Sequence, residues 1–275
     1  YDYTARNLLK ATLFENTPLQ NPSSGTIETI TKITLDDIKD FLDDTLTLNR
    51  LIVVAGGDFE FEEFKKTIKP VLEILKKSEY EKVSKIKIKT KPTEEVVLKD
   101  TQQAYIYFGS PFKVSAQDEN AYMAKVASFI LGGSGFGSRM MEEIRVNRGL
   151  AYSAYSNVSI NKSHSYFSGH LQTKNESANE AKDLVKSIVK EFVKEGVKKE
   201  ELEAAKKFLT GSEPLRSETL SQRLSRAFNF YYKGLGLDYS TKELEKIQDL
   251  KLEDLNKYIN SHDEIENLTF AIVRK

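Results

Sequence analysis

The stretch GSRMMEEIRVNRGLAYS, from Gly137 to Ser153, contains the junction on which the predicted fold depends. Its first part has the apolar spacing of a helix, and Gly149 then marks a turn into a strand that starts near Ala151. An Arg at the end of the helix, Arg145, and a Tyr at the start of the strand, Tyr152, can project side by side. The junction therefore predicts two hydrogen-bond donors that point the same way.

The elements around this junction alternate between helices and strands. A helix from about Asp118 to Leu131 and the glycine-rich sequence LGGSGFG are predicted to precede it. Two facing strands, AYSAYSNVSI and SYFSGHLQT, follow and are joined by the polar turn NKSH. A long helix runs from about Ala178 to Glu195. A strand pair within residues 95–108 and helices at 199–209 and 219–232 complete this part of the chain.

A repeat relates the two ends of the chain. IETITKITLDDIKDFL, from Ile27, matches LEKIQDLKLEDLNKYI, from Leu244, 217 residues later. Each copy leads into a β-rich run, LIVVAGG from Leu51 and LTFAIVRK from Leu268. At the same spacing the opening helix, residues 2–14, falls on the helix at 219–232. The alternative is that two ordinary amphipathic helices share their apolar spacing by chance.

A duplication of this kind sets the domain boundaries. Residues 1–75 are predicted to be the carboxy-terminal half of a first domain, residues 76–92 a lysine-rich linker, and residues 93–275 a complete second domain. The predicted fold is α+β, with duplicated α/β sandwich domains in which helices cover one face of a mainly antiparallel sheet. The first copy is expected to lack its amino-terminal half, upstream of Tyr1.

Composition limits the classes of partner. The 275 residues contain 41 basic and 41 acidic side chains, which disfavours nucleic acid as a partner. Cysteine is absent, so disulfides and thiolate chemistry are excluded. No apolar run approaches the roughly 20 residues of a membrane span, and no signal peptide is recognisable. Periplasm and cytoplasm both remain open as compartments.

The pattern R-x-x-x-G-L-A-Y, from Arg145 to Tyr152, resembles the signature of the non-zinc domain in the pitrilysin, insulinase and mitochondrial-processing-peptidase family. NTPLQNPSSGTIETITKIT followed by NRLIVVAGGDF is similar to the end of the first domain in these peptidases. The resemblance covers nearly the whole chain. It implies that Arg145 and Tyr152 contact the substrate and that Gly149 forms the turn between them.

The chemistry of the pair agrees with that role. A guanidinium and a phenol together can hold a peptide carbonyl and stabilise negative charge that develops on it. The alternative is structural: Arg145 would pair with Glu142 or another carboxylate, and Tyr152 would fill the core. Spacing alone favours the structural alternative, whereas the family resemblance favours substrate contact.

The resemblance also implies zinc, held by an H-x-x-E-H helix and a distal Glu of the first domain. Such a site needs imidazoles one helical turn apart and an open coordination position. The three histidines, His164, His170 and His262, lack this spacing. The corresponding helix of the second copy offers Asp118 and Glu119 without a His. Zinc is therefore expected in the parent or in a partner, and none is expected to be bound by this chain.

The glycine cluster that starts at Gly132 lacks the Lys-Ser/Thr ending of a P-loop and the preceding strand of a dinucleotide fingerprint. We interpret it as a flexible connection that lines the substrate chamber, and a plain helix–helix turn is the alternative. The chamber-lining residues predicted here are Gly133, Gly135, Phe136 and Gly137.

The functional prediction is part of a zinc-dependent endopeptidase that hydrolyses peptides or unfolded segments in a chamber between two domains. This chain would supply substrate-positioning residues and be inactive alone. Expected partners are a peptide substrate and either the missing amino-terminal half or a zinc-bearing homologous subunit, with a dimer as one arrangement. The alternative is a non-catalytic scaffold or partner subunit, similar to the core subunits of respiratory complexes. A nucleotide or nucleic-acid binder is disfavoured.

Overall fold

The computed structural model describes residues 1–79 and 82–275, so the middle of the predicted linker, residues 80–81, lies outside the described residues. Five strands form one sheet: β1 (Glu94–Leu98), β2 (Gln103–Pro111), β3 (Ala151–Ile160), β4 (Ser165–Lys174) and β5 (Thr269–Arg274). Their order is β1-β5-β2-β4-β3. Only the β1–β5 pair is parallel, so the prediction of a mainly antiparallel sheet is confirmed.

Eleven α-helices are found in the described residues: α1 (Asp2–Leu13), α2 (Ile27–Ile30), α3 (Leu35–Thr45), α4 (Phe61–Ile74), α5 (Ala121–Ser128), α6 (Arg139–Met141), α7 (Ala178–Glu195), α8 (Lys199–Gly211), α9 (Leu220–Lys233), α10 (Tyr239–Asp249) and α11 (Leu252–Asn260). Two of them, α5 and α6, continue as π-helical turns at Phe129–Gly133 and Glu142–Asn147. No helix among the described residues is both long enough and apolar enough to cross a membrane.

The main core lies between one face of the sheet and helices of residues 93–275, which we call the second copy. Ile106 and Phe108 of β2 and Phe270 of β5 are fully buried against apolar residues of α5, α7, α8 and α11. Alternate residues of a strand point to opposite faces, so Tyr107 points to the other side of the sheet. The predicted sandwich is thus present in full in the second copy.

Helix α1 covers that other side. Its residues Ala5, Leu9 and Leu13 are buried, and Leu9 and Leu13 pack in one cluster with Ala271 of β5. The Tyr107 hydroxyl donates a hydrogen bond to Asp2 Oδ1 at 2.8 Å. A helix of residues 1–75, which we call the first copy, therefore packs on the sheet of the second copy.

The described part of the linker follows the same surface. Ile86 and Ile88 pack against the cluster around Leu9 and Leu13. The Ile86 N–H donates to the Ser163 carbonyl at 2.9 Å, and the Lys89 N–H donates to the Leu13 carbonyl at the same distance. These contacts attach residues 82–92 to α1 and to the turn between β3 and β4.

The two copies repeat the same elements, but equivalent side chains differ in how far they are buried. Helices α3 and α11 start at Leu35 and Leu252, which are 217 residues apart. A capping box starts α3, because the side chains of Thr34 and Asp37 each accept from the other residue's backbone N–H. Ile38 is 48% exposed, however, whereas its counterpart Leu255 is fully buried at 0%. The first copy contains only the elements that correspond to α9, α10, α11 and β5, with α4 after them.

The segment at 51–57 differs from its prediction. The β-rich run that begins at Leu51 was expected to be a strand, but no described residue forms a β-ladder with this segment. Ile52 and Val54 are half-buried, whereas Leu51 and Val53 between them are exposed. The alternation of a strand is therefore present without the neighbouring strands that would hydrogen-bond to it.

Candidate functional site

Arg145 and Tyr152 lie together on the surface. The Arg145 Cζ is 4.5 Å from the centroid of the Tyr152 ring, and Tyr152 is 82% exposed. Tyr152 therefore does not fill the core. Among the described residues, Arg145 forms no ion pair with Glu142 or with any other carboxylate. The guanidinium lies over the face of the ring, whereas the sequence suggested a position beside the hydroxyl.

Phe136 completes this site. Its ring centroid is also 4.5 Å from the Arg145 Cζ, and the side chain is 72% exposed. We call Phe136, Arg145 and Tyr152 the Arg145 cluster. The sequence placed Phe136 in a chamber-lining loop but did not predict its contact with Arg145. The one available signal was an aromatic residue within a run of glycines, shortly before the helix that ends near Arg145.

The local backbone places Arg145 at the surface. Ile144 is fully buried and anchors the π-helical turn, and the next residue points outward. A helix was predicted in the first part of the stretch from Gly137, but only its first turn, α6, is α-helical. Gly149 then adopts φ +62°, a conformation that L side chains rarely adopt. Its N–H donates to the Arg145 carbonyl at 3.0 Å, which closes the turn.

The predicted chamber-lining loop connects the cluster to a cavity. Gly133 borders a cavity of about 540 Å³ that is also lined by residues of α5, β3 and α9. Gly135 and Gly137 both have positive φ, +66° and +91°, so the loop needs glycine at these positions for its path. Ser138 caps α6, and its hydroxyl donates to the Gly135 carbonyl at 2.8 Å.

Gly132 has a different requirement. A Cβ at this position would lie 2.1 Å from Ser156 Oγ of β3, so only glycine lets the π-helical turn approach the strand. The loop between Gly132 and Gly137 is therefore closely packed at one end and exposed at Phe136.

Arg139, only six residues before Arg145, differs from Arg145 because hydrogen bonds within the protein hold its guanidinium. Its Nε and Nη2 donate to both carboxylate oxygens of Glu201 at 2.7 Å, and Nη2 also donates to the Gly196 carbonyl at 2.8 Å. Burial opposes ionisation of Glu201, but the bonds from Arg139 and the Lys198 N–H keep the pKa of Glu201 below its usual value. Arg145 has aromatic contacts instead, which leave its in-plane N–H groups available to a ligand.

The three histidines have different partners. The His164 ring packs edge-on against the Phe14 ring. The His170 ring stacks on the Tyr107 ring, with 5.2 Å between the two ring centroids. Burial lowers the pKa of both imidazoles. His262 Nδ1 lies 2.9 Å from the carboxylate of Glu264. Within residues 1–79 and 82–275 no group of three or more His, Asp or Glu side chains could hold a metal ion, so these residues do not fit a zinc site.

The family model described as the peptidase M16 inactive domain matches residues 32–209, a range that includes the whole Arg145 cluster. The chain belongs to this M16 family. The family resemblance predicted from Arg145 to Tyr152 is thereby confirmed.

Two relatives carry different names. A protein of Helicobacter pylori named "Non-peptidase homolog YmxG" is 45% identical over 273 residues, which are 99% of this M16 chain and 63% of that protein. A protein of Bacillus subtilis named "Uncharacterized zinc protease YmxG" is 26% identical over 230 residues, 82% of this chain and 54% of that one. The chain thus spans less than two thirds of the length of these relatives.

Solved structures share the fold. The peptidase M16 inactive domain from Pseudomonas fluorescens has a TM-score of 0.86 at 23% identity, with 98% of this chain and 64% of that chain covered. A chain of Complex III2 from Candida albicans has a TM-score of 0.80 at 16% identity, with 98% and 66% covered. At these identities the structures establish the M16 fold alone.

Proposed function

We propose that this chain is the zinc-less, substrate-holding part of a two-part M16 assembly, and that the Arg145 cluster contacts the peptide. The observation that carries the proposal is a half-buried guanidinium that rests on two exposed aromatic rings and has no carboxylate partner among the described residues. Zinc chemistry, where the assembly has it, belongs to the other part, since the histidines of this chain do not fit a zinc site.

The cluster suits a peptide backbone in an extended form. The rings of Phe136 and Tyr152 orient the guanidinium at low entropic cost, because their own side chains have few rotamers. The N–H groups of Arg145 can then donate to a carbonyl oxygen, and the Tyr152 hydroxyl adds a further donor. Exposed apolar ring surface next to these donors would contact substrate side chains.

The domain organisation belongs to the same proposal. Residues 1–75 would be the end of a first M16 domain, residues 76–92 its linker, and residues 93–275 the complete second domain. The substrate would lie between the two domains, near the loop at Gly133–Gly137. The zinc-bearing part would be either the remainder of the same polypeptide or a homologous subunit in a dimer.

The second candidate is a non-catalytic partner or scaffold subunit. It is favoured by the relative at 45% identity, whose name calls it a non-peptidase homolog, and by the fold shared with a chain of Complex III2. In this case the assembly would bind a partner protein through the same fold without hydrolysing it.

Activity of the assembled protein separates these candidates. The full-length protein is mixed with a zinc-bearing homologous subunit, and cleavage of an unfolded peptide is measured. Arg145→Ala and Tyr152→Phe are each expected to lower kcat/KM by about ten- to a thousand-fold, the range for losing one positioned donor. Arg148→Ala is the matched control, because Arg148 is an exposed neighbour that pairs with Glu143. Its turnover is expected to stay close to that of the parent.

Two results would count against the proposal. Parental kcat/KM in both Arg145→Ala and Tyr152→Phe would remove the cluster from substrate contact. A complete lack of cleavage and of peptide binding, with zinc present and the subunits assembled, would favour the scaffold. Comparing Tyr152→Ala with Tyr152→Phe shows whether the ring or the hydroxyl matters, since Phe keeps the aromatic face under Arg145.

A further inference from the structure

The cavity that Gly133 borders carries more positive than negative charge. Its volume of about 540 Å³ lies within the usual range of about 300–1,000 Å³ for a ligand site. The basic side chains that line it are Lys125, Arg216, Arg226 and Lys233. Glu243 is the single acidic side chain among the described residues of the lining. We call this space between α5, β3 and α9 the cationic cavity.

Two of the four basic side chains are neutralised within the protein. Lys125 pairs with one oxygen of the Glu243 carboxylate, and the other oxygen accepts from the Tyr239 hydroxyl at 3.1 Å. Arg226 pairs with Glu213. Less than a third of each of these four paired side chains is exposed. The two pairs are therefore fixed parts of the wall, and their charges are already compensated.

Arg216 and Lys233 have no counter-charge of this kind. Neither forms an ion pair with any residue in the ranges 1–79 and 82–275. Lys233 is half-buried at the end of α9, and Arg216 is exposed in the connection between α8 and α9. Partial burial of an ammonium without a counter-charge is unfavourable, and a bound anion would offset that penalty. The cavity thus has two positive charges that an anionic ligand can reach.

Uncharged groups of the lining indicate which anion fits. The Ser128 hydroxyl accepts from the Val158 N–H at 3.1 Å and donates to Asn157 Oδ1 at 3.4 Å. The amide N–H groups of Asn157 have no partner among the described residues, so they can donate to a ligand. Phe129 and Phe230 also line the cavity, so part of its wall is apolar. Cationic and amide donors beside an apolar wall suit a carboxylate that is attached to a peptide.

The cationic cavity lies close to the Arg145 cluster. Gly133 borders the cavity, and Phe136 of the cluster follows three residues later. Three residues span at most about 10 Å, and the cavity itself adds on the order of 10 Å. An extended peptide rises about 3.3 Å per residue, so about six residues cover the sum of these distances. A peptide held at the cluster therefore brings a residue up to about six positions away into the cavity.

We infer that the cationic cavity binds a carboxylate of the peptide, with Arg216 and Lys233 as its charge partners and the Asn157 amide as a further donor. The inference rests on the proposed substrate-holding function and adds selectivity for acidic peptides to it. The Arg145 cluster contacts backbone groups that every peptide has, whereas the cavity reads a charge that only some peptides carry. An Asp or Glu side chain and the carboxyl terminus of the peptide have the same chemistry here.

Fluorescence anisotropy of labelled unfolded peptides with the full-length protein tests this. Paired peptides carry Glu or Gln at one position, and that position is moved along the sequence. The Glu peptide should bind at least about tenfold more tightly at one or two neighbouring positions, since charge-assisted hydrogen bonds have about this effect. A second pair with a free or an amidated carboxyl terminus identifies the source, because preference for the free terminus alone assigns the site to the terminal carboxylate.

The double variant Arg216→Gln/Lys233→Gln removes both cations and should reduce the preference to less than about twofold. Lys199→Gln/Lys207→Gln is the matched control, because it removes the same charge from exposed positions of α8. The control should keep the parental preference. Arg145→Ala should weaken the binding of charged and neutral peptides alike and leave the ratio of their affinities unchanged.

The carboxylate site is overturned if the parent binds charged and neutral peptides equally at every position and at the carboxyl terminus. Equal loss of preference in the double variant and in its control would also exclude it, since long-range charge would then explain the effect. If the parent binds no peptide, the carboxylate site fails together with the function on which it rests. Parental affinities in Arg145→Ala, with a preference that still depends on Arg216 and Lys233, would exclude the cluster alone and retain the carboxylate site.

Discussion

The two copies share one pattern of apolar residues, but equivalent side chains of the two copies differ in burial. Ile30 is 52% exposed and its counterpart Ile247 is fully buried at 0%, and Val53 is 46% exposed where Phe270 is 1% exposed. The helices of both copies begin at equivalent residues and have similar amphipathic faces. A pattern therefore specifies which face of an element is apolar, but burial requires the opposing layer, which among the residues that the structure describes only the second copy contains.

The largest expected difference between the copies is in the cost of truncating equivalent core positions. In a protein of residues 1–275, Leu255→Ala should lower the free energy of unfolding by about 2–5 kcal/mol, because Leu255 is fully buried. Ile38→Ala should stay within about 0.5 kcal/mol of the parent, because that side chain is half-exposed. Urea unfolding followed by circular dichroism measures both.

Where the proposed remainder of the first domain is present, Ile38→Ala should also cost about 2–5 kcal/mol, since the first copy would then have its own core. Equal costs of Leu255→Ala and Ile38→Ala already in residues 1–275 would contradict the contrast between the copies.

A smaller effect concerns a buried carboxylate that only the second copy has. Glu264 is 5% exposed and accepts from His262 and from the Lys113 N–H at 2.8 Å. Burial disfavours its charged form, but these hydrogen bonds dominate and hold the pKa of Glu264 below its ordinary value of 4.5. The unfolded state therefore takes up this proton first, and stability falls as pH drops from about 5 through the folded pKa.

Glu264→Gln tests this by urea unfolding at several pH values. The variant should lose about 1–3 kcal/mol at pH 7, where the charged hydrogen bonds are present, and less below pH 4. Glu191→Gln, an exposed carboxylate of α7, should follow the parent at every pH. A parental pH profile for Glu264→Gln would show that this carboxylate does not contribute to the stability of the second copy.

The smallest expected effect concerns two glycines with positive φ, one in each copy. Gly25 has φ +68° and Gly149 has φ +62°. Gly149→Ala should destabilise residues 1–275 by about 1 kcal/mol, because its turn belongs to the cooperative second copy. Gly25→Ala should leave the main unfolding transition unchanged, because no core of its own couples the first copy to that transition.

Thermal unfolding of the two variants, with Gly211→Ala as control, measures this difference. Gly211 ends α8 with ordinary φ and open space around its Cβ, so alanine should not destabilise there and should add about 0.4–1 kcal/mol of stability. A loss in Gly25→Ala that equals the loss in Gly149→Ala would mean that the two copies unfold as one unit.

Local patterns predicted most elements of the second copy. Helix α7 runs from Ala178 to Glu195 as predicted, and β3 and β4 coincide with the two alternating runs. These elements depend on apolar periodicity within one segment, which the sequence displays directly. Helix α5 begins at Ala121, later than predicted, because Asp118 accepts from the Asn120 N–H in a turn before the helix.

Features that depend on distant parts of the chain were not predictable. The run at Leu51–Ala55 has strand alternation but no ladder among the described residues, because a strand forms only with a neighbour. The position of α1 on the sheet of the second copy was not predictable either, since the apolar face of α1 does not indicate which sheet the helix contacts. At the site, the proximity of Arg145 and Tyr152 followed from the turn at Gly149, whereas the contact with Phe136 depends on the path of a glycine-rich loop.

The packing of α1 on β5 has a consequence for biosynthesis. Leu9 and Ala271 are in one cluster, although more than 250 residues separate them in the chain. A ribosome that adds about 5–20 residues per second needs on the order of tens of seconds to synthesise β5 after α1 has emerged. During that interval the sheet on which the apolar face of α1 packs is incomplete. We therefore expect the nascent chain to need a chaperone until β5 has left the ribosome.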